Sequence, residues 1–115
     1  MRILLANAPR AYRETMAAVL RAQRPHLGIS VVDPEELDGA LARFSPRFVI
    51  CNGLSAAVER LLPAWVVLYP DGERRAVVSL AGRRTVARDF GLADLLAAID
   101  EAEREVPADE QTAAG

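Results

Sequence analysis

Short apolar runs alternate along the chain with segments whose apolar residues recur at helical spacing. The first run, Ile3-Leu4-Leu5-Ala6, is continuously apolar, as expected for a strand buried on both faces. The predicted strands are residues 3–6, 29–32, 48–51 and 65–68. Because a helix-length segment separates each strand from the next, the pattern predicts right-handed βαβ units and a parallel sheet with helices on both faces.

The first two predicted helices have recognisable features. The first helix places Tyr12 on its inward, apolar stripe. The second begins at Asp33-Pro34-Glu35-Glu36, where Asp33 is the expected N-cap and Pro34 the first helical residue. Glu36 then completes a capping box, in which each of two side chains binds a backbone N–H of the first turn.

The alternation of strand and helix changes after the fourth strand. Pro70-Asp71-Gly72 is a turn signal, and the strand-like residues on either side of Ala81-Gly82 predict a β-hairpin over residues 76–88. A last helix is predicted from about residue 92 to 104. The small and polar residues 106–115 predict a disordered tail.

Three segments resemble the CheY-like receiver domains of bacterial response regulators. The step Tyr12-Arg13-Glu14 matches the start of the first receiver helix, and Pro46-Arg47-Phe48-Val49-Ile50-Cys51-Asn52 is similar to the third receiver strand. Residues 90–99 resemble the last receiver helix. The resemblance implies a flavodoxin-like three-layer α/β sandwich with a mostly parallel sheet in the order 2-1-3-4-5, in which a hairpin replaces the fourth helix.

The chain departs from receivers at the residues that receivers need for phosphorylation. Asn7 and Ala8 stand where receivers carry an acidic pair, and Asn52 stands at the position of the aspartate that accepts phosphate. Tyr69 replaces the hydroxyl residue, and Arg88 falls at the lysine position. A neutral amide is a poor nucleophile, and Mg²⁺ sites usually include carboxylates. The expected protein is therefore a pseudo-receiver without enzymatic activity, metal or cofactor.

Composition narrows the class of protein further. The 115 residues fit a single domain, which we place at residues 1–105, and the net charge of −2 gives no reason to expect nucleic acid as a partner. All 14 basic residues are arginine. A lone cysteine, Cys51, excludes an internal disulfide and suits the cytoplasm. We find no signal peptide and no apolar run of the ~18 residues that a membrane span needs.

Opposite charges cluster near the end of the chain, and they are compatible with a surface for protein contacts. The candidate interface residues are Arg74, Arg75, Arg83, Arg84, Asp94, Asp100 and Glu101. In receivers this region commonly forms the dimer face, so the resemblance implies a homodimer or docking of another protein, steered by charge. The alternative is a solvated face whose weak salt bridges hold no partner.

A second candidate function is a sensor for a small anionic ligand. Ligands of open α/β sheets bind at the carboxyl ends of the strands, and helix N-termini favour anions. The candidate ligand-binding residues there are Asn7, Asn52, Gly53, Ser55 and Arg88. The alternative is a filled pocket in which Arg88 pairs with Asp71 or Asp89 and no ligand binds.

Overall fold

The computed structural model of the chain describes residues 1–69 and 74–105. These residues form strands β1 (Arg2–Leu5), β2 (Gly28–Val31), β3 (Phe48–Cys51), β4 (Ala64–Leu68), β5 (Ala76–Leu80) and β6 (Arg83–Ala87). The α-helices are α1 (Arg10–Gln23), α2 (Leu37–Phe44), α3 (Ala56–Leu61) and α4 (Leu92–Glu105). The predicted turn at residues 70–72 and the predicted disordered tail at 106–115 lie outside the described residues.

All six strands form one mixed sheet in the order β2-β1-β3-β4-β5-β6. The pairings among β2, β1, β3 and β4 are parallel, whereas β4–β5 and β5–β6 are antiparallel. The predicted flavodoxin-like, mostly parallel sheet in the order 2-1-3-4-5 is therefore wrong. A parallel return from β4 needs a crossover of a dozen or more residues, and residues 69–75 are too few, so β5 runs back along β4.

The hairpin of β5 and β6 turns through Ala81 and Gly82, which both have positive φ, of 52° and 86°. Positive φ at both central residues is the requirement of a type I′ turn, whose twist matches that of the two strands. Glycine adopts this conformation without steric cost. The turn leaves β6 as the outer edge of the sheet beyond β5.

Alternate residues of the strands fill two cores, one on each face of the sheet. Leu5 packs with Leu20 of α1 and Ile99 of α4 on one face, whereas Leu4 packs with Trp65 on the other face beneath α2 and α3. These side chains are almost completely buried, and each large one stabilises the fold by roughly 1.5–3 kcal/mol. Helix α4 packs against β5. Strand β6 lies beyond this cover, and four of its five residues are exposed.

The start of the second helical segment differs from the prediction. Asp33 and Pro34 open a short 3-10 turn, Pro34–Glu36, and α2 itself begins only at Leu37. The Asp33 side chain makes no capping hydrogen bond, so the predicted capping box is wrong. Its carboxylate instead accepts a hydrogen bond from Arg13 at 2.8 Å. A charged donor in a buried position competes successfully with a backbone N–H for the same oxygen.

Candidate functional site

Asn52 uses both ends of its side-chain amide to join three strand ends at the carboxyl edge of the sheet. It follows β3, and its Oδ1 accepts a hydrogen bond from the backbone N–H of Ala8, which follows β1. Its Nδ2 donates to the carbonyl oxygen of Leu68 at the end of β4, at 2.7 Å. An ionised carboxylate only accepts hydrogen bonds, whereas an amide both donates and accepts. Asn52, which was predicted to stand at the phosphate-acceptor position of receivers, therefore links the strand ends.

Asn7 and Arg13 form a second connection at the same edge. Asn7 is fully buried, and its carbonyl oxygen accepts a hydrogen bond from Nη1 of Arg13 at 3.2 Å. Nη2 of Arg13 donates to Asp33, which follows β2. The side-chain amide of Asn7 has no hydrogen-bond partner among the described residues. Arg13 is almost fully buried although α1 is otherwise amphipathic, and the sequence pattern does not reveal this role.

The residues predicted to bind an anion are not gathered in one place. The hydroxyl of Ser55 caps α3 by accepting from the N–H of Val58 at 3.1 Å, and it donates to Asp38 at 2.8 Å. Arg88 lines a groove of about 400 Å³ between β6 and α4, together with Asp94 and other residues. Gly53 is exposed beside Asn52 and lines neither this groove nor the cavity next to Asn52.

The cavity next to Asn52 has a different lining from the predicted one. It has a volume of about 340 Å³ and is lined by Ala8, Pro9, Tyr12, Asn52, Leu68, Tyr69, Arg74, Arg75 and Phe90. The guanidinium of Arg75 lies 5.3 Å from the centre of the Tyr69 ring. Tyr12 was predicted to point into the core but is 51% exposed and forms one wall of the cavity. The antiparallel return of β5 places Arg74 and Arg75 here, which strand pattern alone did not predict.

The arginines of β6 pair with acidic residues of the same chain. Arg83 forms ion pairs with Glu105 and, at 3.8 Å, with Glu101 of α4. Arg84 lies on the other face of the sheet, where it pairs with Glu59 of α3 at 3.2 Å. Both arginines were predicted to belong to a surface that binds a partner. Each already has an opposite charge within the chain.

The acidic candidates of α4 also have partners within the chain. Both oxygens of Asp100 accept hydrogen bonds from Arg24 at 2.8 Å, and these bonds lower the pKa of Asp100. Asp94 accepts from the backbone N–H of Gly91 at 2.9 Å and so stabilises the start of α4. Charge attraction to a partner is correspondingly weaker on this face.

Among the described residues, no strand pairs with the outer edge of β6. Arg83 pairs with Leu80 directly across the two-residue turn, so the N–H and C=O of Arg83 point toward β5. This direction alternates along the strand, which turns the backbone groups of Arg84 and Val86 outward. Val86 is also the most exposed large apolar residue described, at 70%. Sequence pattern did not identify this edge, because the order of strands in the sheet determines which strand is outermost.

The cysteine and the potential metal ligands of the described residues complete the inventory of reactive groups. Cys51 is 2% exposed, and burial raises the pKa of its thiol to about 11. In residues 1–69 and 74–105, no group of three or more His, Cys, Asp or Glu residues is placed to hold a metal ion. Within the same ranges no helix has the length and apolar character needed to cross a membrane.

Comparison of the chain with family models, curated proteins and solved structures gives no match. The resemblance to receivers therefore rests on the residues quoted above and stays a prediction.

Proposed function

We propose that this protein is a non-enzymatic signalling module of the cytoplasm, a pseudo-receiver that works by binding another protein chain. The observation that carries the proposal is the open edge of β6. The backbone groups of Arg84 and Val86 face solvent there, beside an exposed valine side chain. An extended segment of a partner adds to such an edge as a further strand, with main-chain hydrogen bonds supplying affinity.

In the part of the chain that the structure describes, the outer edge of β6 has no proline, no bulge and no covering strand. Proteins protect edge strands with proline, charged side chains, bulges or a covering helix or loop. Strand β6 has the sequence Arg-Arg-Thr-Val-Ala, and it pairs with β5 through five consecutive residues without a bulge. Its two arginines are engaged by acidic residues of α3 and α4. An unprotected edge of this kind favours a docking role.

The carboxyl edge of the sheet supports the non-enzymatic part of the proposal. Aspartyl phosphorylation needs an ionised carboxylate as the nucleophile. Here Asn52 occupies that position, and both ends of its amide are engaged by Ala8 and Leu68. The role in signalling rests on the resemblance to receivers, and the cytoplasmic location on the single, buried thiol.

Photo-cross-linking in the cells that make the protein tests the docking role. A benzophenone amino acid is placed at Val86 and, as a control, at Ala42, which is exposed on α2. We expect one dominant cross-linked species at position 86 and none at position 42. Its mass identifies the partner, either a second copy or another protein. Equal labelling at the two positions, or no product at position 86, would overturn the proposal.

The cavity next to Asn52 supports a second candidate function, a sensor for a small aromatic anion. Its volume of about 340 Å³ falls within the range of small-molecule sites. Its lining includes the aromatic residues Tyr12 and Phe90 and the cationic residue Arg74. In a thermal-shift titration with 4-hydroxybenzoate, this function predicts stabilisation that Arg74→Gln removes and Arg60→Gln, on exposed α3, retains. Equal responses of both variants would contradict it.

A further inference from the structure

We infer that the strand that docks on β6 is β6 of a second copy, antiparallel to the first about a twofold axis at Thr85. The inference rests on the proposed docking function and adds the identity of the partner. The two sheets then continue into each other across the axis. Three features support it: the direction of the backbone groups, the placement of charge and the exposed apolar side chain.

The backbone groups of β6 are complementary to themselves in this arrangement. Arg84 and Val86 carry the outward N–H and C=O groups, because Arg83 and Thr85 are bonded to β5. With the axis at Thr85, Arg84 of each copy lies opposite Val86 of the other. Each such pair exchanges two hydrogen bonds, so all the outward groups of these two residues find partners.

Repulsion between arginines favours an axis at Thr85 over an axis at Arg84 or Val86. With the axis at Arg84, this residue lies opposite Arg84 of the second copy. With the axis at Val86, Arg84 faces Arg88. Like charges directly opposite each other destabilise a strand pair. With the axis at Thr85, Arg83 lies opposite Ala87 and Arg84 opposite Val86, so no arginine faces another.

The side chains on the α3 face of the sheet fit the same arrangement. Arg84 is held on this face by Glu59, at 3.2 Å, and lies 5.1 Å from the centre of the Trp65 ring. Its aliphatic stem is thereby positioned beside the strand. Val86 of the second copy, which is 70% exposed in one chain, packs against that stem. Removing this valine from water adds hydrophobic stabilisation to the backbone bonds.

Light scattering on the full-length protein, over a range of concentrations, tests the inference first. We expect a species of twice the chain mass of 12.5 kDa. Val86→Pro removes an outward N–H that β5 does not use, and one hydrogen bond is lost from each half of the interface. We expect this change to raise the dissociation constant roughly 30-fold. Thr85→Arg brings like charges together at the axis and also weakens the dimer, whereas the neutral control Thr85→Gln does not.

A cross-link at the axis tests the register. Thr85 pairs with its own copy at a position without backbone hydrogen bonds, where the Cα atoms lie about 4.5 Å apart, within disulfide range. Thr85→Cys is therefore expected to form a disulfide-linked dimer on mild oxidation. Ala87→Cys is the control, because its two copies lie about 13 Å apart along the strands. Cys51 is buried and does not interfere.

The outcomes separate the inference from the proposed function. A dimer that is weakened by Val86→Pro and cross-linked by Thr85→Cys supports both. A monomer at all concentrations, with a different protein cross-linked at position 86 in cells, overturns the inference and leaves the docking function in place. A dimer unaffected by Val86→Pro and Thr85→Arg also overturns the inference, because it uses another surface. A monomer with no product at position 86 overturns both.

Discussion

Asn52 donates a hydrogen bond from Nδ2 to the carbonyl oxygen of Leu68 at 2.7 Å. The oxygen of the same amide accepts from Ala8, so one side chain holds the ends of β1, β3 and β4 together. A carboxylate at this position would place a negative charge against the Leu68 carbonyl. The amide at position 52 is thus a structural contact between these strand ends.

Asn52→Asp is accordingly expected to destabilise the protein. We expect the free energy of unfolding to fall by roughly 1–3 kcal/mol, because the part-buried Leu68 carbonyl loses its donor. Urea denaturation measures the change. Gln23→Glu, an amide-to-acid change at an exposed helix end, is the control and should cost less than about 1 kcal/mol. Equal stability of Asn52→Asp and the parent protein would show that the Leu68 bond contributes nothing.

We expect the buried guanidinium of Arg13 to contribute more to the free energy of unfolding than the exposed Arg10 on the same helix. Arg13→Met keeps the length of the stem but removes the bonds to the Asn7 carbonyl and to Asp33. We expect a loss of roughly 1–3 kcal/mol, since a buried acceptor is left unpaired. Arg10→Met removes only an exposed ion pair with Glu14, which solvent screens, and should cost much less stability than Arg13→Met. Comparable effects of the two changes would contradict the assigned role of Arg13.

The bidentate pair of Arg24 and Asp100 is expected to make the stability of the folded protein depend on pH in the acid range. Hydrogen bonding from Arg24 lowers the pKa of Asp100 in the folded protein. The stabilisation is therefore complete above the unfolded pKa of about 3.9 and is lost as the pH falls through the lower folded value. Asp100→Asn should be less stable than the parent at pH 7, and the difference should shrink below about pH 4. A difference independent of pH would show that the charge on Asp100 is not involved.

Cys51 is expected to react slowly with thiol reagents in the folded protein. Its thiol is almost fully buried, and burial raises its pKa to about 11. The reactive thiolate is therefore scarce at pH 8, and the reagent also lacks access to the sulfur. Ellman's reagent should label the thiol promptly only after the protein is unfolded in urea. Rapid labelling of the native protein would mean that the end of β3 opens readily.

The local sequence pattern predicts where the individual strands lie, but not the direction in which the outer strands join the sheet. Leu4 and Val49 belong to short strands that the apolar runs locate, because a strand covered on both faces needs apolar residues at every position. The antiparallel return at Ala76 depends on the shortness of the preceding connection. The resemblance to receivers favoured a mostly parallel sheet, whereas the short connection between β4 and β5 permits only an antiparallel return. The prediction of a mostly parallel sheet was therefore wrong.

The contacts at the candidate sites depend on pairings distant in sequence. The charges of Arg83 and Glu105 are visible in the sequence, but their pairing needs β6 to lie beside α4. The same holds for Arg24 and Asp100, which join α4 to the segment after α1. The register of the hairpin decides which residues of β6 form hydrogen bonds with β5. The outward direction of the Val86 backbone groups can therefore be inferred only once that register is known.

Amide hydrogen exchange in β6 tests the docking function most directly. The assembled protein, isolated intact from the cells that make it, is compared with dilute purified chain at the resolution of single amides. Arg83 and Thr85 are bonded to β5 and should be protected in both samples. Arg84 and Val86 should exchange quickly in the dilute chain and become protected in the assembly. Fast exchange of these two amides in both samples would contradict docking at the β6 edge.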